Sequence, residues 1–325
     1  MTGGQTKRLD VRQLVLDAEE RSRTYLVTTP LEYSPYLSAL VDGEVWLKLD
    51  LMQRTGSFKF RGAVSKIMSL SEEQLDRGIV TASTGNYALA VAEAMRLRGR
   101  SATIYVARDI DPERLELLRA RGLHVVIDGD EAGVAEKRAR QAAEEEGRIY
   151  VSPYNDPLVV GGQGTCGLEI ARQLPNVESV VVACGGGGLI AGSAGWLKFH
   201  SPDVEIIAVS PANSPVMYES LKAGHVVESA TAPTLADTCA GNLDLDSITL
   251  ALCQEYVDDF VLLTEDEIAR GIRLLFEEHR LVAEGSAALG VAALCRSPER
   301  FRGKKVVLVV CGRNIGLELF RRIVA

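Results

Sequence analysis

The sequence predicts an α/β protein of two doubly wound domains with parallel sheets. Three observations carry that prediction. Short apolar runs rich in β-branched residues recur along the chain. Most are apolar on both faces, as strands covered by helices on each side must be. Longer amphipathic stretches separate them, in the alternation that builds parallel sheets.

In chain order the strand runs are VWLKLD (45–50), GIVTAS (78–83), SATIYV (101–106), LHVVID (123–128), SVVVAC (179–184), VEIIAVS (204–210), DFVLL (259–263) and KKVVLVVC (304–311). Between them YALAVAEAMRLRG (87–99), PERLELLRARG (112–122) and GVAEKRARQAAEEEG (133–147) read as amphipathic helices. Each ends at Gly, the residue that most readily takes the left-handed conformation closing a helix. YVSPYNDP (150–157) interrupts the alternation with turn residues, so a boundary is expected near residue 150.

At 325 residues, 46% hydrophobic and 25% charged, the chain can bury the core of one large or two medium domains. Lys and Arg number 36 against 44 Asp and Glu, a net charge of -8 with no basic stripe, so neither nucleic acid nor an anionic membrane is an expected partner. The six cysteines, Cys166, Cys184, Cys239, Cys253, Cys295 and Cys311, show no C-x-x-C spacing and read as thiols of a reduced compartment. MTGGQTKRLD has no apolar core of signal-peptide length and no later segment approaches a membrane span. A cytoplasmic protein with a short N-terminal tail is expected.

In open α/β sheets, ligands bind beyond the carboxyl ends of strands, and three loops there are unusual. In ASTGNYALAVA, Ser83, Thr84, Gly85 and Asn86 lead straight into a helix, where hydroxyls and free backbone N–H groups can cradle an anion or simply cap the helix. In VVACGGGGLIAG, Gly185, Gly186, Gly187 and Gly188 open the backbone to a phosphate; no G-K-[ST] makes a P-loop, and VEIIAVS ends in Ser210 rather than the acid of a dinucleotide site. In VVLVVCGRNIG, Cys311 ends the last strand and Gly312 follows, and the thiol is either a core residue or a weak donor facing a ligand. Lys59 lies between Phe58 and Phe60 in TGSFKFRGA, where an ammonium must be paired, stacked or lowered in pKa so that it can react. A phosphate cradle, a carboxylate cradle, an amine in apolar surroundings and a weak donor at the sheet end are together the requirements of pyridoxal phosphate.

On these segments the sequence resembles the fold-type II pyridoxal-phosphate enzymes, whose architecture is that of the tryptophan synthase β chain, and among them the threonine/serine dehydratase and serine racemase group. The likeness runs from about Thr29 to the C-terminus through TTPLEYS (28–34), TGSFKFRGA (55–63), ASTGNYA (82–88), YNDPLVVGGQGTCGLEI (154–170), CGGGGLIAG (184–192), TLADTCAG (234–241), LVAEGSAAL (281–289) and CGRNIG (311–316). Relatives acting on O-acetylserine or phosphohomoserine look like S-x-K-D-R at the lysine, and Phe60 in that place favours the dehydratase branch. The resemblance implies a discontinuous large cofactor-binding domain of residues 1–73 and 150–325, with a small mobile domain of 74–149 carrying the substrate carboxylate loop. It implies that Lys59, flanked by Phe58, holds the cofactor as a Schiff base and then takes the substrate Cα proton. Asn86 would bond the ring O3′, Gly185 to Gly188 with Leu189 the phosphate, and Ser83, Thr84, Gly85, Asn86 and Tyr87 the substrate. Glu284 matches a family acid near the cofactor, and Cys311 with Gly312 would face the pyridine nitrogen. Arg61 is expected to position the Lys59 helix through an ion pair.

The implied reaction is conversion of a β-hydroxy amino acid such as L-threonine or L-serine to a 2-oxo acid and ammonia. Two alternatives stand beside it: racemisation of serine or hydroxyaspartate with Thr84 as second acid/base, and a dehydratase specialised for phenylserine, hydroxyaspartate or a hydroxyectoine breakdown product. Dehydratases usually look like S-A-G-N-H where this chain has Ser83-Thr84-Gly85-Asn86-Tyr87, and Gly and an apolar residue are common where it has Thr238 and Cys239. The family's divalent-cation site begins V-E-P, whereas Val209-Ser210-Pro211 stands here, so no metal is expected. A homodimer is expected, as is the absence of a C-terminal regulatory domain and of feedback by isoleucine. His124, His200, His225 and His279 fall outside every motif and are expected to be structural or exposed.

Overall fold

The computed structural model describes residues 9–108 and 110–325; the N-terminal tail expected from the sequence lies outside them. Among the described residues there are ten strands: β1 (Leu31–Tyr33), β2 (Glu44–Lys48), β3 (Ile79–Ala82), β4 (Thr103–Val106), β5 (His124–Ile127), β6 (Ile149–Tyr150), β7 (Ser179–Ala183), β8 (Glu205–Pro211), β9 (Asp259–Leu263) and β10 (Lys305–Val309). The helices are α1 (Val11–Ser22), α2 (Pro35–Val41), α3 (Lys59–Met68), α4 (Glu72–Asp76), α5 (Asn86–Leu97), α6 (Pro112–Ala120), α7 (Ala132–Glu145), α8 (Pro157–Gln173), α9 (Gly188–His200), α10 (Val216–Ala223), α11 (Ile248–Tyr256), α12 (Glu265–His279), α13 (Gly285–Arg296) and α14 (Leu317–Val324).

The strands form two sheets, one ordered β1-β2-β10-β7-β8-β9 and the other β5-β4-β3-β6. All pairings are parallel except that of β1 with β2. Central strands such as β7 are buried at every position, whereas the edge strands β5 and β9 are partly exposed, which is why the inner runs read as uninterrupted apolar sequence. All eight strand runs seen in the sequence are present. The two short strands it did not reveal, β1 and β6, span three and two residues, too few for any periodicity to register.

The three amphipathic helices end as anticipated, at Gly99, Gly122 and Gly147 with φ of 65°, 79° and 66°. In the larger layer α8 lies unusually close to α9, because a side chain on Gly164 would come within 2.8 Å of the Gly192 carbonyl. One apolar core gathers around the six-stranded sheet, and a second gathers Phe60, Val64 and Ile67 of α3 with Tyr87, Val91 and Met95 of α5 against the smaller sheet.

The winding order locates the crevices. From β7 the chain winds outward through β8 and β9, then returns to insert β10 on the other side of β7. The loops after β7 and β10 therefore part around a switch point, and they carry Gly185–Gly188 and Cys311–Asn314. In the smaller sheet β4 and β5 lie on one side of β3 and β6 on the other, so a second switch point is lined by Ser83–Gly85 and by the residues just after β6.

Candidate active site

The segment before α3 is laid against the loop after β10. Ser57 and Gly312 form an antiparallel bridge, Phe58 N–H donates to Cys311 O at 3.0 Å, Arg313 N–H to Gly56 O at 2.9 Å, and Asn314 Nδ2 to Thr55 O at 3.0 Å. These bonds fix the start of α3, and with it Lys59 at the first helical position. Lys59 Nζ donates to Pro153 O at 3.3 Å and lies 5.0 Å from the Phe58 ring centre and 5.9 Å from that of Tyr87. Its aromatic company is therefore Phe58 and Tyr87, while Phe60 turns into the second core. Burial lowers the Lys59 ammonium to about 8, against the opposing pull of Cys239, Cys311 and Glu284.

The four glycines after β7 lead into α9, with Gly187 in the left-handed region at φ 83° as its N-cap. A methyl on Gly185 would lie 2.8 Å from Cys239 Cα, one on Gly186 2.5 Å from the Tyr154 ring, one on Gly187 2.7 Å from Met217 Cε, and one on Gly188 would strike Gln163 Oε1. The loop is thus a bare backbone bed at a helix N-terminus, the arrangement that binds a phosphate through N–H groups and the helix dipole. Leu189 follows, buried in the first turn. Gln163 ties this bed to the lysine, since its Nε2 donates at 3.0 Å to the same Pro153 carbonyl that Lys59 holds.

Opposite stands a polar wall. Asn86, the first residue of α5, donates from Nδ2 to both Glu284 oxygens at 2.7 and 3.0 Å and accepts from Asn314 Nδ2 on its own oxygen. Glu284 also accepts Asn314 N–H at 3.1 Å and the Thr238 hydroxyl at 3.2 Å. Burial raises the Glu284 carboxyl above its ordinary value, and the Asn86 bond offsets part of that. Gly312 packs where any side chain would collide with the Glu284 carboxylate. Burial also pushes the thiols upward, Cys239 to about 11 and Cys311 well above 9, so both are neutral near pH 7. The rim is the Ser83–Gly85 loop: Ser83 Oγ accepts Gly85 N–H at 3.2 Å, and a side chain at Gly85 would meet no atom within 4 Å. Thr84 is half-buried in that loop and has no hydrogen-bond partner among the described residues. Tyr87 points inward, 2% exposed, as a core residue of α5.

Arg61 has the ion-pair role expected of it, in a larger network than one pair. It grips Asp50 at 2.7 and 2.8 Å and Glu169 at 3.0 and 2.9 Å, and Lys48 joins Glu169 at 2.6 Å, all buried. These charges and the Arg23 contact to Glu169 at 2.9 Å hold Glu169 far below the ordinary carboxylate range despite its burial.

Pyridoxal phosphate fits this donor set. The glycine bed suits a phosphate monoester, an amine of lowered pKa is available for an aldehyde, and the buried Ser57 Oγ and Gln163 Oε1 are polar atoms with no protein partner among the described residues. Sequence reasoning had not singled out Pro153, Tyr154, Gln163 or Asn314, although PYND and GGQGT lay inside segments it quoted.

Comparison with known proteins agrees. The model of the family described as pyridoxal-phosphate dependent enzyme matches residues 23–312. The L-threonine ammonia-lyase of Thermotoga maritima is 41% identical over 310 residues, 95% of this chain and 77% of the relative. The catabolic L-threonine dehydratase of Escherichia coli K12 is 36% identical over 93% of this chain and 92% of its own. Among solved structures, threonine deaminase isoform 2 of Solanum lycopersicum superposes with a TM-score of 0.91 at 33% identity, covering 99% of this chain and 94% of that one. Maize serine racemase gives 0.88 at 29% identity, covering 95% and 96%. With fold, site and family match in agreement, the chain belongs to the pyridoxal-phosphate dependent enzymes.

Proposed function

We propose that this protein is a pyridoxal-phosphate-dependent ammonia-lyase that converts a small β-hydroxy amino acid, L-threonine first and L-serine second, to a 2-oxo acid and ammonia. The observation that carries the reading is the identity of 36–41% over nearly the whole chain to proteins named L-threonine ammonia-lyase or dehydratase. Bound at the site, the cofactor supplies an aldehyde for the substrate amine and a conjugated ring that withdraws electrons from Cα.

The chain's own residues do the rest. Lys59 Nζ, lowered to about 8, takes the Cα proton at neutral pH at modest cost. The N–H groups of Gly185 to Gly188 and the first turn at Leu189 hold the phosphate, and Phe58 walls the amine from water. Ser83, Thr84 and the Gly85 and Asn86 N–H groups hold the substrate carboxylate at the start of α5, with Tyr87 behind them. Asn86 and Glu284 would hold the ring hydroxyl, and the neutral Cys311 thiol beside Gly312 would serve the ring nitrogen without adding charge. As the Cα–H and Cβ–O bonds break, the β-hydroxyl takes up one proton, balancing the one Lys59 removes from Cα, and leaves as water. The released enamine tautomerises and takes water back, giving the oxo acid and ammonia.

We further propose that residues 74–149 move as a small domain over the larger one, and that the protein works as a cytoplasmic homodimer. Among the described residues no helix is long and apolar enough to cross a membrane.

Racemisation is the second reading, favoured by the likeness to maize serine racemase and by the unpartnered Thr84 hydroxyl on the carboxylate loop. One incubation in heavy water separates the two: protein, pyridoxal phosphate and a panel of L-β-hydroxy amino acids, followed by proton NMR and chiral chromatography. A 2-oxo acid with ammonia and little D-enantiomer supports the lyase. Deuterated D- and L-amino acid without oxo acid overturns it and makes Thr84 the leading candidate for a second base.

A further inference from the structure

We propose that Thr238 is a positioning residue of the site, whose hydroxyl fixes the Glu284 carboxylate against Asn86 and joins it, through Ser286, to the Cys239 wall of the glycine bed.

Glu284 stands at the N-cap of α13 yet makes no side-chain capping bond, the ordinary work of a polar residue there. Its oxygens turn toward the site instead. A carboxylate offers about four lone-pair positions. Asn86 Nδ2 reaches both oxygens, Asn314 N–H one and the Thr238 hydroxyl the fourth position, so the buried group is fully satisfied only with Thr238 in place. Thr238 Oγ1 also lies 2.6 Å from Ser286 Oγ. The single Thr238 proton is therefore shared between the Glu284 carboxylate and Ser286 Oγ. Ser286 neighbours the Cys239 thiol in turn, and Cys239 Cα is the atom that a side chain on Gly185 would strike. A continuous set of contacts therefore runs from the phosphate bed to the amide beside the ring hydroxyl.

The charged and titratable groups facing Glu284 are the Lys59 amine from α3, the Asp237 carboxylate beside Thr238, and the Cys239 and Cys311 thiols. Asp237 disfavours charge on Glu284, the thiols are neutral where Glu284 titrates, and only Lys59 among these favours it. The Thr238 hydroxyl therefore stabilises the ionised form, and its loss raises the pH at which Glu284 takes up a proton and can no longer accept from Asn86 with both oxygens. A hydrogen bond to a charged group, at the weak end for its length, corresponds to about one pH unit.

The test compares holoenzyme of Thr238→Val, Thr238→Ser and Ser286→Ala with the wild type. It reads the absorbance of bound pyridoxal phosphate against pH without substrate, and the pH profile of kcat/KM. For Thr238→Val the acid-side transition of both moves up by about one unit, for Ser286→Ala, which leaves the Thr238 proton to Glu284 alone, it moves the opposite way by less, and Thr238→Ser restores it. An unmoved transition in Thr238→Val, whether or not kcat falls, overturns the assignment. The kinetic arm rests on the lyase reading and the spectral arm does not. A wild type without lyase activity therefore sinks that reading while the spectra still decide the role of Thr238.

Discussion

Replacing Arg61 with methionine isolates what the buried network beneath Lys59 contributes. Arg61 and Asp50 are both fully buried, and Asp50 has no other charged partner among the described residues, keeping only the Thr29 hydroxyl at 2.7 Å. Glu169 would still hold Lys48 at 2.6 Å and Arg23 at 2.9 Å. The loss therefore falls mainly on Asp50, and stranding one buried charge costs about 3–5 kcal/mol, or two to four powers of ten in the folding equilibrium. Adding Asp50→Asn removes the stranded charge and keeps a partner for Thr29, so the double variant should recover at least about 2 kcal/mol of the single variant's loss. Urea denaturation followed by circular dichroism measures this, read as a shift in midpoint at constant slope. A single variant that loses less than about 1 kcal/mol, or a double variant as weak as the sum of its parts, would refute the reasoning. Because Lys59 lies one residue from Phe60 and two from Arg61, Arg61→Met should also bind pyridoxal phosphate more weakly while Lys59 itself is intact.

Three shorter predictions follow. Gly186→Ala places a methyl 2.5 Å from the Tyr154 ring, so cofactor affinity by fluorescence titration should fall by more than about tenfold, with part of it regained in the double variant with Tyr154→Ala. In the apoprotein Lys59 titrates at about 8 rather than 10.5, so between those values the unfolded chain binds the extra proton and stability rises with pH. Lys59→Met apoprotein should accordingly be the more stable by about 2 kcal/mol at pH 7, discounted for partial exposure, and lose that advantage toward pH 10, as urea midpoints would record. Arg140 on α7 pairs at 2.7 Å with Asp244, whose N–H donates to the hydroxyl of Tyr154 beside the glycine bed, so Arg140→Ala should raise KM a few-fold in low salt and much less in 0.5 M salt.

The parts of the fold that rest on periodicity were legible in the sequence, and the parts that rest on contact between distant segments were not. A parallel strand buried on both faces announces itself as an apolar run, and a helix stop as a glycine, so the eight longer strands and the ends at Gly99, Gly122 and Gly147 could be read directly. β6 has two residues, and its place at the switch point of the smaller sheet follows from strand order, which no local pattern encodes. In the site, the tetraglycine bed was legible because four adjacent glycines are costly unless used. Tyr154 and Gln163, which close that bed, are ordinary residues in ordinary segments, and their role comes only from what a side chain on Gly186 or Gly188 would strike. Phe60 marks the other failure. Adjacency in sequence suggested two rings beside Lys59, but on a helix successive side chains diverge by about 100°, and Tyr87 from α5 takes the second place.

The two halves of the site are held by different contacts, and one amide joins them. Lys59, the glycine bed and Cys311 belong to elements tied together by the backbone bridge at Ser57 and Gly312 and by the buried charges around Arg61. Asn86 comes from the helix that opens the proposed substrate loop, and it meets the first group through Glu284 and Asn314. On the proposed reading, the residue next to the substrate carboxylate is then the one that sets the cofactor's ring hydroxyl. A substrate that drew the Ser83–Gly85 loop inward would, on that reading, press Asn86 toward Glu284, and one that left the loop open would relax it. On the same reading, a displacement that closed the site over an amino acid would also align the ring above it, and selection of a carboxylate-bearing substrate and activation of its Cα–H would be coupled through a single side chain.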